Sequence, residues 1–214
     1  MIAISLFLLA SFLIGSVPFG FLLSRKKAAK DGRKCGSGNM DAADAARIAG
    51  KGLGFLTMVL DGFKGFFPVI VAVYLGNRMT GVLIDDLTIL ASFAALCAVL
   101  GHAFTPWLGF KGGKGVATAI GAALVFSPLS ALLAIGVLVI TTAITRYVSL
   151  GGILGVLTLA LYFLHRLITI HRFDMPYIAA VWTFIALLVI ARHHENIKRI
   201  INRTEDRLFS SRSS

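Results

Sequence analysis

Long stretches of this chain carry no charge, and that limits its fold before any motif does. There is no Asp, Glu, Lys or Arg from Met1 to Ser24, Phe66 to Asn77, Leu87 to Phe110, Val116 to Thr145, Tyr147 to His165, or Met175 to Ala191. Runs of this kind approach the ~20 apolar residues that cross a bilayer as a helix. They are continuous rather than alternating, which argues against an outer-membrane barrel. Hydrophobic residues make up 57% of the chain and charged residues 14%. A soluble domain would carry about 25% charged residues. The expectation is an all-α, polytopic membrane protein whose single domain covers residues 1–214.

Helices are expected at 2–24, 53–75, 87–108, 115–127, 129–146, 150–165 and 176–192. The first lacks a positive n-region and a small-residue cleavage site, so it reads as a retained helix. Pro128 marks the break after the short fourth helix, because proline removes a backbone donor. One kinked helix over 115–146 would give six spans and put the basic tail outside. The charges favour seven. Arg25, Lys26, Lys27, Lys30, Arg33, Lys34, Arg47, Lys51, Lys111, Lys114, Arg146 and the Lys198–Arg212 tail then share one side, against Arg78, Arg166 and Arg172 on the other. The positive-inside rule makes the first side cytoplasmic and places the N-terminus outside. Orientation accounts for much of the net charge of +11, so no nucleic-acid partner is needed. Cys35 and Cys97 have neither metal-ligand nor disulfide-framework spacing and receive no role.

Asp61 and Lys64, in "VLDGFKGFF", are the one acid and base deep in a span. Their i,i+3 spacing lets them pair on one helical face. Ions inside membranes are costly and often functional, yet a structural pair near the cytoplasmic end is the simpler reading.

Three polar clusters fall on the expected cytoplasmic side: "GSGNMDAADAARIAGKGLG" (Gly36–Gly54), "KGGKG" (Lys111–Gly115) and "RHHENIKRIINRTEDR" (Arg192–Arg207). Glycines permit close backbone approach to a ligand. Successive N–H groups leading into a helix N-terminus suit an anion. The nucleotide pattern G-x-x-x-x-G-K-[ST] is absent. Together the clusters point to phosphorylated substrates.

"GSVPFGFLLSR" (Gly15–Arg25), "GSGNMDAADAARIAGKG" (Gly36–Gly52), "DGFKG" (Asp61–Gly65), "GHAFTPWLGFKGGKGVAT" (Gly101–Thr118), "TRYVSLG" (Thr145–Gly151) and "RHHENIKRI" (Arg192–Ile200) resemble the bacterial PlsY family. The match runs nearly end to end and in order. Its members are acyl-phosphate:glycerol-3-phosphate acyltransferases. The resemblance implies seven transmembrane helices, a multi-pass protein of the bacterial inner membrane, and an active site facing the cytoplasm. The implied reaction moves a fatty acyl group from acyl-phosphate to the 1-hydroxyl of glycerol 3-phosphate, giving lysophosphatidic acid and phosphate. The implied partners are these substrates and membrane lipid. A monomer without cofactor or metal is expected.

By the same resemblance, Ser37, Arg47, Lys114, His193 and Asn196 act in catalysis. Gly36, Gly38, Asn39, Lys111, Gly112, Gly113, Ser149 and His102 act in substrate binding. An acyl phosphate is already an activated anhydride, so a protein nucleophile is not essential. Holding two anions, aligning hydroxyl with carbonyl and stabilising the oxyanion do most of the work. The H-x-x-x-x-D pattern of acyl-CoA-dependent enzymes is absent, because the positions five after each histidine are Trp107, Ile170, Pro176, Lys198 and Arg199.

The resemblance breaks in one loop. The family pattern G-S-G-N-x-G-A-T-N reads "GSGNMDAAD" here, so Asp41, Ala43 and Asp44 replace glycine, threonine and asparagine. Two like charges ~4 Å apart at an effective dielectric of ~20 repel by roughly 4 kcal/mol. If the loop still binds a phosphorylated donor, Asp41 is expected to point away from it, stay protonated or bind a cation. An ion pair is the easier course, with Arg33, Lys34 and Arg47 all near in sequence. The D-x-x-D spacing also resembles the CDP-alcohol phosphotransferases, but Ala45 follows Asp44, Arg47 comes too early and Gly65 stands where a further aspartate is needed. Metal-assisted phosphotransfer is the second reading. A non-enzymatic transporter is the third, disfavoured because transporters place substrate near the midplane.

Overall fold

The computed structural model describes residues 2–28, 41–78, 84–171 and 174–208. Among them every regular element is helical, with no strand. In chain order these are α1 (Ile2–Ser16), α2 (Phe19–Ala28), α3 (Ala42–Ala49), α4 (Lys51–Arg78), α5 (Ile84–Ala103), α6 (Val116–Phe126), α7 (Pro128–Thr145), α8 (Val148–Thr169), α9 (Met175–Arg192) and α10 (His194–Ile201).

Six stretches are long and apolar enough to cross a bilayer: Ile2–Arg25, Lys51–Leu75, Thr88–Leu108, Pro128–Thr145, Val148–Thr169 and Met175–Arg192. α6 is different. Its 11 residues rise about 16 Å, near half of a ~30 Å hydrocarbon core. It survives because the bundle covers it, with Thr118 to Ala123 all buried. Ser127 then ends it and caps α7, accepting from the Ser130 N–H, with Pro128 in the first turn.

The first expected helix is in fact two, because Pro18 interrupts it. The missing N–H and the ring's clash with the preceding turn account for the break. Two further elements differ from the sequence reading. α3 and α10 are short amphipathic helices of eight residues each, in polar clusters outside the expected helices. Their faces are too short to stand out against the long apolar runs.

Packing uses small residues, as expected where lipid tails offer helices no hydrophobic drive to associate. A side chain at Gly15 would strike the Ala98 carbonyl, and one at Gly101 would strike the Phe12 carbonyl, so α1 lies directly on α5. Gly65 meets the Thr118 backbone and Gly121 that of Gly62, which brings α6 onto α4. Bulky apolar side chains such as Leu6, Phe63, Leu132, Ile144, Leu161 and Leu187 are exposed on the outside.

Contacts give the helix directions. The C-terminal end of α1 meets the chain just past α5, where the Thr105 hydroxyl donates to the Ser16 carbonyl (2.6 Å) and Trp107 Nε1 to Ser16 Oγ (2.8 Å). α7 and α8 form a hairpin: Gly151 faces Thr142 and Leu138, Gly155 faces Ala134, and Ser127 Oγ donates to the Tyr162 hydroxyl (2.9 Å). α6 runs alongside α8, with Val116 against Gly152 and Phe126 edge-on to Phe163 (6.1 Å). α9 returns beside it, since Trp182 stacks on Phe163 (4.8 Å) and His193 reaches Gly152. The end of α5, the start of α6 and the end of α9 therefore meet at one end of the bundle.

Candidate active site

After α5 the chain makes a 3₁₀ turn at Pro106–Leu108 and reverses through two left-handed residues, Gly109 (φ 64°) and Phe110 (φ 62°). The returning segment lies across the end of α5. Gly112 N–H donates to the Ala103 carbonyl and Gly113 N–H to the His102 carbonyl, each at 3.1 Å. A side chain on Gly112 would enter the His102 carbonyl, and one on Gly113 the His102 ring. Here glycine serves close approach. At Gly115 (φ 90°) it also supplies the left-handed turn that opens α6. The amides of Gly112 and Gly113 are thus occupied by α5, which corrects the expectation that both face an anion.

The other side of this segment is held by Arg192, a residue the sequence reading left without a role. Its Nη2 donates to the Gly112 carbonyl (2.9 Å) and its Nε to that of Gly113 (3.4 Å). The guanidinium lies 5.5 Å from the Phe104 ring centroid.

Lys114 is mostly buried and pairs with Asp41 Oδ2 at 2.9 Å. The other oxygen of Asp41 caps α3, accepting from the Asp44 N–H at 3.3 Å. Burial raises the Asp41 pKa, but the Lys114 charge and hydrogen bond outweigh it and hold the carboxyl below its ordinary value. Of the cations near Asp41 in sequence, Arg33 and Lys34 lie outside the described residues and Arg47 is not its partner. Arg47 Nη1 instead meets Asp44 Oδ1 (3.0 Å), one helical turn back, and Asp206 Oδ2 (3.4 Å). Capping turns Asp41 toward the start of α3, while i,i+3 spacing puts Asp44 beside Arg47. Asp41 and Asp44, the pair that suggested a metal, each face a cation of the protein.

The third cluster closes on Glu205. Its Oε1 accepts from Ser149 Oγ (2.7 Å) and Asn196 Nδ2 (2.6 Å), and its Oε2 from Arg199 Nε (2.7 Å). Burial pushes the Glu205 pKa up, but these hydrogen bonds and the Arg199 charge leave it below the usual value. The tail is tied to the α7–α8 turn, where Leu208 N–H donates to the Arg146 carbonyl (2.7 Å). Glu205 was missed because in sequence it is one charge in a charged tail.

His193 is buried, with Nδ1 2.7 Å from the Val189 carbonyl. A carbonyl only accepts, so Nδ1 carries the proton and Nε2 keeps a lone pair. Burial, helped by the Lys114 charge, pushes the pKa down to about 4, so the ring is neutral at pH 7.

Each cluster therefore touches the other two: Lys114 with Asp41, Arg47 with Asp206, Arg192 with Gly112. Lys111 is exposed, and His102 is buried behind the glycine segment. Gly36, Ser37, Gly38 and Asn39 lie outside the described residues.

The family model described as glycerol-3-phosphate acyltransferase matches residues 5–203. The glycerol-3-phosphate acyltransferase of Syntrophotalea carbinolica is 42% identical over 202 residues, covering 94% of this chain and 95% of the relative. That of Geobacter sulfurreducens is 40% identical over 197 residues, 92% and 93% of the two chains. Crystal structures of PlsY (YgiH), an integral membrane glycerol 3-phosphate acyltransferase, superpose with TM-scores of 0.84 for the glycerol 3-phosphate form and 0.81 for the lysophosphatidic acid form. Both are 33% identical and cover 96% of this chain, with 96% and 95% of their own length matched. With its helical bundle spanning a membrane and its three polar clusters meeting at one end, this chain belongs to the glycerol-3-phosphate acyltransferase family.

Proposed function

We propose that this protein transfers a fatty acyl group from acyl-phosphate to the 1-hydroxyl of glycerol 3-phosphate, releasing lysophosphatidic acid and inorganic phosphate. The observation that carries the reading is the junction of the glycine segment, α3 and the C-terminal module around Lys114 and His193. It gathers cations and a neutral imidazole at one end of a membrane bundle, where a substrate with a long apolar tail and a phosphate head has both environments at hand.

In the reaction the glycerol oxygen bonds to the acyl carbon, and the bond from that carbon to the phosphate oxygen breaks. Lys114, once released by Asp41, is the counter-charge for substrate phosphate. Arg47 and Lys111 add positive charge. His193 accepts a hydrogen bond from the attacking hydroxyl through Nε2. The hydroxyl proton passes to that nitrogen or to the departing phosphate. Ser149 and Asn196 are set by Glu205 to orient the glycerol backbone. Ser37, Gly36, Gly38 and Asn39 hold the acyl-phosphate end. Gly112 and Gly113 shape the floor of the site, and His102 supports it from behind.

The site faces the cytoplasm, with the N-terminus outside and seven crossings, in the inner membrane of a bacterial cell and as a monomer. Support comes from the distribution of Lys and Arg and from the alternating directions of α5, α6, α7, α8 and α9, in which short α6 serves as the fourth crossing.

The test is an assay of purified protein with glycerol 3-phosphate and three donors: acyl-phosphate, acyl-CoA and acyl carrier protein. Turnover with acyl-phosphate alone is expected. Turnover with acyl-CoA but not acyl-phosphate would overturn the donor assignment. For topology, cysteine labelling from outside should reach positions near Asn77 but not near Lys111.

A further inference from the structure

Asp61, Lys64 and His102 sit directly behind the glycine segment, inside the bundle, and the reaction described above uses neither Asp61 nor Lys64. Asp61 Oδ1 and Lys64 Nζ are 2.9 Å apart, with side chains 3% and 4% exposed. Burying a charge pair in a bundle is costly, and a pair on adjacent turns of one helix adds little to that helix. Lys64 also reaches outside α4. Its ammonium donates to the Val17 carbonyl (3.0 Å), at the break where Pro18 separates α1 from α2. It lies 5.8 Å from the Phe19 ring centroid. His102 Nδ1 is 3.8 Å from Asp61 Oδ1, too long for a direct hydrogen bond. Among the described residues neither ring nitrogen has a hydrogen-bond partner, although both are buried. Ser16, Lys64, Thr105 and Gly113 help line a cavity of about 10 Å³ beside them, room for about one water.

The segment they back cannot hold itself. Gly112 and Gly113 have no side chains to anchor, so their path depends on what surrounds them. Two hydrogen bonds to α5 and the Arg192 contacts hold part of it. The His102 ring fills the space where a side chain at Gly113 would stand. Asp61 faces the other side of that ring, and Lys64 ties Asp61 to the α1–α2 break.

We infer that Asp61, Lys64 and His102 are positioning residues, a buried polar brace that joins the α1–α2 break to α5 and sets the path of Lys111–Lys114. The inference rests on the proposed function only in that Lys114 then meets substrate. The brace itself is a claim about the loop and has its own readout.

The experiment compares wild type with the double variant Asp61→Leu/Lys64→Met in detergent. Replacing a buried ion pair by apolar residues of similar size is often neutral or stabilising, so the double variant should remain folded. Two readouts follow. Hydrogen exchange across residues 109–115 should quicken at least tenfold, while exchange in α8 stays unchanged. The KM for glycerol 3-phosphate should rise at least tenfold, with a smaller fall in kcat. The charge-swapped variant Asp61→Lys/Lys64→Asp restores a pair but removes the donor to Val17, and it should resemble the double variant. Unchanged exchange across 109–115 in folded double variant would overturn the brace, whatever the activity. A swapped variant that behaves as wild type would reduce Lys64 to an ordinary pair. If the double variant does not fold, His102→Leu with Lys64 intact must loosen the same segment, and an unchanged segment there would equally overturn the brace. An inactive wild type whose segment still loosens in the variants would sink the functional reading and leave the brace standing.

Discussion

Two ion pairs of equal length stand near the glycine segment of this structure. Asp61–Lys64 and Asp41–Lys114 both measure 2.9 Å. The first lies within one turn of α4, both partners rigidly carried by one helix and nearly sealed, at 3% and 4% exposed. The second joins the N-cap of an eight-residue helix to a lysine at the mouth of α6, with 16% and 10% exposed. The difference shows that distance says little about what an ion pair does. A pair fixed on one helix has no competitor and serves structure. A pair between two separate elements is the one that, under the proposed function, substrate phosphate displaces.

The largest test of the contrast is Lys114→Ala, which removes the lysine from the outer pair and, under the proposed function, from the substrate phosphate together. A charge-assisted hydrogen bond is worth roughly 1.5–3 kcal/mol. Turnover should fall at least tenfold while the protein remains folded in detergent, and near-normal turnover would remove Lys114 from the site. Asn196→Ala should follow at about tenfold, through a higher KM for glycerol 3-phosphate. An equal loss without any change in KM would assign Asn196 to the chemical step instead.

Asp41→Asn or Asp41→Gly takes the opposite direction. Removing the carboxylate that occupies Lys114 should lower the KM for the phosphorylated substrates several-fold. The gain should be larger at low ionic strength, where screening is weak. Steady-state kinetics at two salt concentrations checks this. Loss of activity in Asp41→Gly, together with a magnesium requirement in wild type, would make this loop a metal site.

The smallest expected effect is on stability against pH. The folded pKa of His193, about 4, lies below its ordinary value of 6.5. Between these values the unfolded state binds a proton that the folded state refuses, so stability falls as pH drops from about 6.5 to about 4. Asp41 and Glu205, both held below their ordinary values, add to the loss at the acidic end, where their partners lose the charged carboxylate. Melting in detergent should fall by roughly a few degrees across that window. His193→Gln, which cannot charge, should flatten the upper part of the curve. A slope unchanged by that substitution would mean that other groups set the acid response.

Much of the candidate site was legible as residue type. Lys114, His193, Asn196 and Arg47 stand in polar clusters that interrupt an apolar chain, while Ser149 lies outside those clusters and was named by the resemblance alone. Contacts through Asp41, Asp206 and Glu205 tie Lys114, Arg47, Ser149 and Asn196 to one end of the bundle. Their partners were not legible. Asp41 was expected on a cation a short distance along the chain, Arg33, Lys34 or Arg47, yet it pairs with Lys114. The reason is the N-cap, which depends on a helix too short to be seen in the pattern.

What the sequence by itself determined is the kind of molecule. Uncharged runs, the proline at Pro128, and basic clusters between runs specify helices, a break and polar ends, because each is a local property of a chain meeting lipid and water. Only the tertiary structure decided which groups are spoken for. Glu205 closes on Ser149 across 56 residues, and Arg192 on Gly112 across 80. The amides of Gly112 and Gly113 turn to α5 rather than outward. These choices follow from how closely helices approach, and that is set by small side chains far apart in sequence, Gly15 against Ala98 and Gly65 against Thr118. A hydrogen bond needs its partners within about 3 Å, and no local pattern in a sequence records so short a distance between segments so far apart.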